Sequence, residues 1–165
     1  MPSSSDLIIV PAVEADAEAI VDLLAPYVAK QIVLPRTADD IRAHIDNFRV
    51  ARWRDRPGLA GCVALRDFGD GLQEVRSLVV AQKQSGQGLG SLLVRKAVEL
   101  AAERHAKRVF TLTVRPNLFR NIGFTEVPVT DFPQKVWSDC ANCPKRQHCD
   151  EIALALDLET WPEPG

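Results

Sequence analysis

No apolar run in the 165 residues approaches the roughly 18–20 that a membrane span needs. The first residues, Met1-Pro2-Ser3-Ser4-Ser5-Asp6, lack a basic segment, and the apolar stretch Leu7 to Val10 is too short for a signal peptide. Neither charge sign dominates: 20 Lys and Arg face 22 Asp and Glu, a formal net charge of −2, so no electrostatic footprint for nucleic acid or an anionic membrane follows. Four cysteines are too few for a disulfide scaffold. Nine glycines and eleven prolines are close to average, which excludes collagen-like and low-complexity readings. No internal repeat is present. A cytoplasmic chain of one domain, residues 1–165 with a core over about 7–158, is expected; at this length it buries a core without disulfide staples.

Hydrophobic periodicity orders that core. Leu7–Val13 reads as a strand, and Ile20, Leu23, Leu24, Tyr27 and Val28 recur at helical spacing from Asp16 to about Lys30. Thr37 and Asp40 form a cap-like pair opening a helix through Ile41, Ile45 and Phe48. Residues 49–54 and 59–66 read as strands, Phe68-Gly69-Asp70-Gly71 as a turn, and Leu72–Val80 as a strand. Strict alternation in that strand puts Leu72, Glu74, Arg76, Leu78 and Val80 on one face, with Gln73, Val75, Ser77 and Val79 on the other. A long amphipathic helix follows with Leu89, Leu92, Leu93, Ala97, Leu100 and Ala101 as its stripe. Then come a strand over Arg108–Val114, a short helix over Pro116–Asn121, and strands over Phe124–Val129 and Ile152–Leu158. Strands and helices mix without strict alternation, which predicts an α+β fold: a central mixed sheet flanked by helices.

Between strand and long helix lies Gly86-Gln87-Gly88-Leu89-Gly90. Glycines let the backbone bend and approach a ligand closely, and free N–H groups at the following helix start can face an anion. A P-loop is excluded because no Lys-Ser/Thr pair follows. A Rossmann fingerprint needs another spacing, early in the chain. The glycines alone fit a plain strand-to-helix turn better than either.

The order strand, Gly86–Gly90, amphipathic helix, strand, then "NLFRNIGF" resembles the core of the GNAT superfamily of N-acetyltransferases. More narrowly, "EVRSLVV", "RVFTLTVRPNLFRNIGF" and "FPQKVWSDC…DEIALALDL" are similar to the acetyltransferase domain of amino-acid N-acetyltransferases, the N-acetylglutamate synthases that open arginine biosynthesis. The likeness runs over about residues 7–158. It implies an acyl-CoA N-acyltransferase fold, with acetyl-CoA as co-substrate. The pyrophosphate would be held by Ser85, Gly86, Gln87, Gly88, Leu89, Gly90 and Ser91, and the pantetheine arm would run along Leu78, Val79 and Val80. Ser85 stands where the family usually has Gln or Arg. Many such synthases carry an amino-acid-kinase-like domain upstream; these 165 residues contain none, so arginine inhibition is not implied.

Acetyl transfer to an amine needs the nitrogen neutral, and Glu74, at the strand position of the family's basic glutamate, is the candidate base. The plain alternative is a half-exposed glutamate paired with Arg76. A backbone N–H near Leu78 is the candidate for stabilising the oxyanion. Many relatives protonate the leaving thiolate with a tyrosine before the "GF" turn; here Phe119 stands there, and the single tyrosine, Tyr27, belongs to the first helix. The thiolate then takes its proton from water or another group, or leaves without one. For a substrate with two carboxylates, cation candidates are Arg76, then Lys135, with His148 and Arg115 behind. Cys140, Cys143 and Cys149, with His148 adjacent and Cys62 as a fourth thiolate if folding brings it near, offer a structural zinc site, a redox pair or a buried sulfur cluster; the last is favoured. The expected activity is acetylation of a small amino acid's α-amine, foremost L-glutamate. Alternatives are another small amine or peptide, a non-catalytic acyl-CoA-binding module, and a cysteine-based sensor. Oligomeric state is left open.

Overall fold

The computed structural model describes residues 7–31, 33, 35–55, 57–81, 88–132 and 152–159. Among them, seven strands make one mixed sheet: β1 (Leu7–Pro11), β2 (Phe48–Trp53), β3 (Leu59–Gly69), β4 (Leu72–Val80), β5 (Arg108–Thr113), β6 (Thr125–Glu126) and β7 (Ile152–Asp157). Their order is β1-β2-β3-β4-β5-β7-β6, antiparallel throughout except for the β4–β5 pair. The helices are α1 (Ala17–Ala29), α2 (Ala38–Ala43), α3 (Leu89–Glu103) and α4 (Pro116–Arg120). No helix of the described residues is long and apolar enough to cross a membrane.

The two faces of the sheet carry separate cores. Leu93, Val94, Ala97, Val98 and Ala101 of α3 pack with Phe119 and Phe124 on Val63, Leu65, Val75, Val109 and Leu154. On the opposite face Ile20, Leu24 and Ile41 of α1 and α2 cover Phe48, Val50, Cys62, Ala64 and Val79. Beside them, Phe68, Phe110 and Phe132 close that face over β5 and β7, with Phe110 and Phe132 stacked at 4.4 Å.

Local chemistry accounts for the boundaries. The Asp40 N–H donates to Thr37 Oγ1 at 3.0 Å, the N-cap that opens α2. The helix nevertheless stops at Ala43. A single 3-10 turn over Ile45–Asn47 follows, and Phe48 opens β2 instead of continuing the helix. Its ring is fully buried under α1 and α2, so tertiary burial overrides the helical spacing of Ile41, Ile45 and Phe48. The β3–β4 hairpin turns through Asp70 (φ 55°) and Gly71 (φ 81°), the two positive values that a two-residue hairpin loop demands. β3 therefore extends to Gly69, past the expected end at 66. The α3 stripe differs from the predicted one at one point. Leu92 is 53% exposed, and Val94 and Val98 take the buried positions. The expected strand over Phe124–Val129 shrinks to Thr125–Glu126, with a 3-10 turn at Val129–Asp131.

Candidate active site

The strict alternation read along Leu72–Val80 breaks at Ser77. On β3, Cys62 faces Val79 and Ala64 faces Arg76, so Val63 alone lies opposite both Ser77 and Leu78. This is a β-bulge, and Ser77 takes φ 54°, a left-handed conformation seldom used outside glycine. The extra residue flips every side chain beyond it. Val75 packs under α3, but so do Leu78 and Val80, whereas Val79 points to α1. Glu74 and Arg76 therefore share the face of Val79, not that of Leu78 and Val80 as alternation predicts.

Glu74 is buried, 6% exposed, rather than half-exposed. Arg76 Nε donates to its Oε1 at 3.0 Å, and Arg76 Nη2 lies 2.9 Å from the same oxygen. The base candidate and the first-ranked carboxylate binder are thus one ion pair two residues apart. Side chains at i and i+2 of a strand point the same way, which is why the pair forms.

The second feature is a split. β4 and β5 pair in parallel only at Leu72–Arg108, Gln73–Val109 and Glu74–Phe110. β5 then stays with β7 along its whole length, while β4 follows β3 to Val80. At the divergence Thr111 Oγ1 donates to the Val75 carbonyl at 3.1 Å, a side chain doing the work of the next rung. Further along, the Ala81 N–H bonds to the Ala60 carbonyl at 2.8 Å, so Val80, one residue before, directs its own N–H and C=O away from β3 and into the split. Leu78, two residues earlier, has the same orientation. One of these groups has a partner: Tyr27 Oη, from α1, donates to the Val80 carbonyl at 2.8 Å.

α3 begins where the split opens. Gly88 is its N-cap with φ 80°, and a Cβ there meets nothing within 4 Å. The first intrahelical bond runs from the Leu92 N–H to the Gly88 carbonyl at 3.3 Å, so the amides of Leu89, Gly90 and Ser91 have no intrahelical acceptor. Among the described residues no side chain caps them, and no acid sits in the first turn to offset the helix dipole. A Cβ on Gly90 would come within 3.2 Å of Leu118 on α4 and 3.8 Å of Val80; glycine keeps the mouth between α3, α4 and β4 bare. The arrangement suits an extended, amide-bearing chain along the β4 edge with an anionic group at the α3 N-terminus.

The other sequence candidates divide. Arg115 is exposed at the N-cap of α4, just past the end of β5, with its N–H bonded to Thr113 Oγ1 at 2.9 Å. Phe119 is buried edge-on to Phe124 at 5.3 Å. Ser85, Gly86, Gln87, Lys135, His148, Cys140, Cys143 and Cys149 lie outside the described residues. Among the described residues no cluster of three or more His, Cys, Asp or Glu forms a metal site. Cys62 is fully buried, its thiol donates to the Ser77 carbonyl at 3.3 Å, and burial pushes it up to about 12. The three cysteines with which it would share a metal ion lie outside the described residues. Sequence alone does not single out Tyr27 or Thr111: one belongs to the first helix, the other to an apolar strand, and nothing local marks their contact with β4.

Comparisons with known proteins agree with this geometry. Residues 18–126 match the model of the acetyltransferase (GNAT) family. An uncharacterized N-acetyltransferase of Chlorobaculum tepidum is 40% identical over 144 residues, 87% of this chain and 92% of that one. An amino-acid acetyltransferase of Mycobacterium tuberculosis is 30% identical over 145 residues, 87% of this chain and 80% of that one. Among solved structures, the N-acetylglutamate synthase of Neisseria gonorrhoeae, complexed with coenzyme A and N-acetyl-glutamate, matches with a TM-score of 0.81 at 23% identity over 92% of this chain, which spans 35% of that longer protein. A Mycobacterium tuberculosis structure in complex with CoA matches with a TM-score of 0.78 at 24% identity, covering 91% of this chain and 98% of that one. A mixed sheet parted between its fourth and fifth strands, with a helix N-terminus at the opening whose first amides have no intrahelical acceptor, thus coincides with a family match over most of the sheet: this chain belongs to the GNAT family of acetyltransferases.

Proposed function

We propose that the protein transfers the acetyl group of acetyl-CoA to the α-amine of a small amino acid, with L-glutamate the foremost acceptor and arginine biosynthesis the corresponding pathway. The split between β4 and β5 carries this reading, because it leaves β4 peptide groups without a neighbouring strand along a path that ends, among the described residues, at helix amides with no side-chain cap. Likeness over 87% of the chain to an amino-acid acetyltransferase supports the acceptor class.

In this reading the amides of Leu89, Gly90 and Ser91, with Gly88 and the preceding Ser85–Gln87, hold the pyrophosphate. The β4 edge at Leu78, Val79 and Val80 carries the pantetheine arm. Glu74 takes the ammonium proton of the acceptor, directly or through water. The freed nitrogen attacks the thioester carbon, and the Leu78 N–H stabilises the negative oxygen that develops. As the new C–N bond is made and the C–S bond breaks, the electron pair leaves on sulfur. The nitrogen sheds its second proton to water and, because Phe119 has no proton to give, the thiolate takes its proton from that water.

Arg76 is the first carboxylate binder, with Lys135, His148 and Arg115 as further cations around the acceptor. Its pairing with Glu74 gives the two roles one switch: an acceptor carboxylate arriving at the guanidinium competes with Glu74 Oε1 and frees that oxygen for the proton.

A steady-state assay with acetyl-CoA and a panel of amino acids tests the reading. Turnover of glutamate is expected, and Glu74→Gln should lower kcat by about 10²- to 10⁴-fold while calorimetry shows unchanged CoA affinity. Acceptance of peptides or other amines in place of amino acids moves the acceptor elsewhere in the family. CoA binding without turnover of any amine identifies a non-catalytic acyl-CoA-binding module.

A further inference from the structure

The β4 edge that β5 abandons is bracketed by two side-chain hydroxyls. Thr111 bonds the Val75 carbonyl at the closed end, and Tyr27 bonds the Val80 carbonyl at the open end. The peptide groups around Leu78 lie between them. Thr111 is buried and comes from the neighbouring strand. Tyr27 has a less expected origin. It stands near the end of α1, 53 residues away in sequence, on the helix that packs against the opposite face of the sheet. Its hydroxyl reaches the strand edge, where the N–H of a partner strand would otherwise sit.

A phenol that donates one hydrogen bond still accepts another. Tyr27 therefore converts the last carbonyl of the open edge into an oxygen that both donates inward and accepts outward. We propose that Tyr27 is a positioning residue of the donor groove: its hydroxyl accepts from an amide N–H of the pantetheine arm while donating to Val80, and so keeps the arm in register with Leu78. The inference rests on the acetyl-CoA reading above. A tie between α1 and β4 that only stabilises the fold has different consequences, because it does not distinguish one half of coenzyme A from the other.

Calorimetric titration with coenzyme A and with 3′-phosphoadenosine 5′-diphosphate, the nucleotide half that lacks the arm, separates the two. Tyr27→Phe should weaken coenzyme A about threefold to tenfold, the factor one uncharged hydrogen bond carries. Affinity for the nucleotide and KM for the amino acid should stay unchanged. Because Tyr27 is the single tyrosine, wild-type protein labelled with ¹³C-tyrosine gives an independent readout that needs no variant to fold. Its one Cζ resonance, from the carbon that bears the hydroxyl, should shift with coenzyme A and stay put with the nucleotide. An unmoved resonance at saturating coenzyme A, or equal losses for both ligands in Tyr27→Phe, overturns the role of Tyr27 and leaves the donor reading standing. Wild-type protein that binds neither ligand overturns the donor reading, and this inference with it.

Discussion

Thr111 Oγ1 donates to the Val75 carbonyl at 3.1 Å at the point where β4 and β5 part, one residue beyond their last shared rung at Glu74–Phe110. Both groups are buried, so the carbonyl has no water to turn to once the neighbouring backbone has left. Replacing Thr111 by Val keeps the shape and removes the donor. Thr111→Val should cost about 1–3 kcal/mol, the desolvation penalty of an unmatched buried acceptor. Urea denaturation measures it; an unchanged midpoint would show that the hydroxyl contributes nothing at the apex.

Ser77 holds φ 54° inside a strand, where a side chain is strained by roughly 1–2 kcal/mol. Glycine relieves that strain at the cost of about 0.5–1 kcal/mol in a freer unfolded chain. Ser77→Gly should therefore leave stability equal or slightly higher, with the bulge and acetyl transfer intact. Ser77→Val, a branched side chain in the same conformation, should destabilise the fold and lower kcat more than KM, because the bulge sets the direction of the Leu78 N–H. Thermal melts beside initial rates test both; equal tolerance of Gly and Val would remove the strain argument.

Burial raises the Cys62 thiol from an ordinary value of 9.0 to about 12. The folded protein keeps that proton where the unfolded chain loses it, so the stabilising contribution is complete below about pH 9 and fades as pH rises toward 12. Cys62→Val lacks the titration. Any stability advantage of wild type over this variant at pH 7 should shrink by pH 11, as read from denaturant midpoints of the pair at each pH. A pH-independent difference would mean that the thiol titrates alike in both states. The folded wild type should also resist alkylation at Cys62 at pH 8.

Much of the fold was legible from residue spacing. The hairpin at Asp70-Gly71 needs two positive φ angles, and those residues supply them locally. α3 follows from a repeat of apolar residues, and the glycines before it mark a helix start with bare amides. Such features depend on neighbours in sequence, and periodicity reports them. Phe48 is the counterexample: its spacing fits the helix before it, but the space beneath α1 and α2 claims it for β2.

What the amino-acid order determined alone was the succession of elements, the glycine-lined entry to α3, and the placing of Glu74 and Arg76 two residues apart, close enough to pair in any extended strand. Tertiary structure decided which face that pair occupies, because a bulge at Ser77 reverses the side chains after it and leaves no mark in the hydrophobic pattern. It also decided that β4 and β5 separate, and that Tyr27 and Thr111 close the two ends of the gap. Those contacts join strands and helices 36 and 53 residues apart. Their geometry arises only when the sheet has been assembled and each core has found its volume.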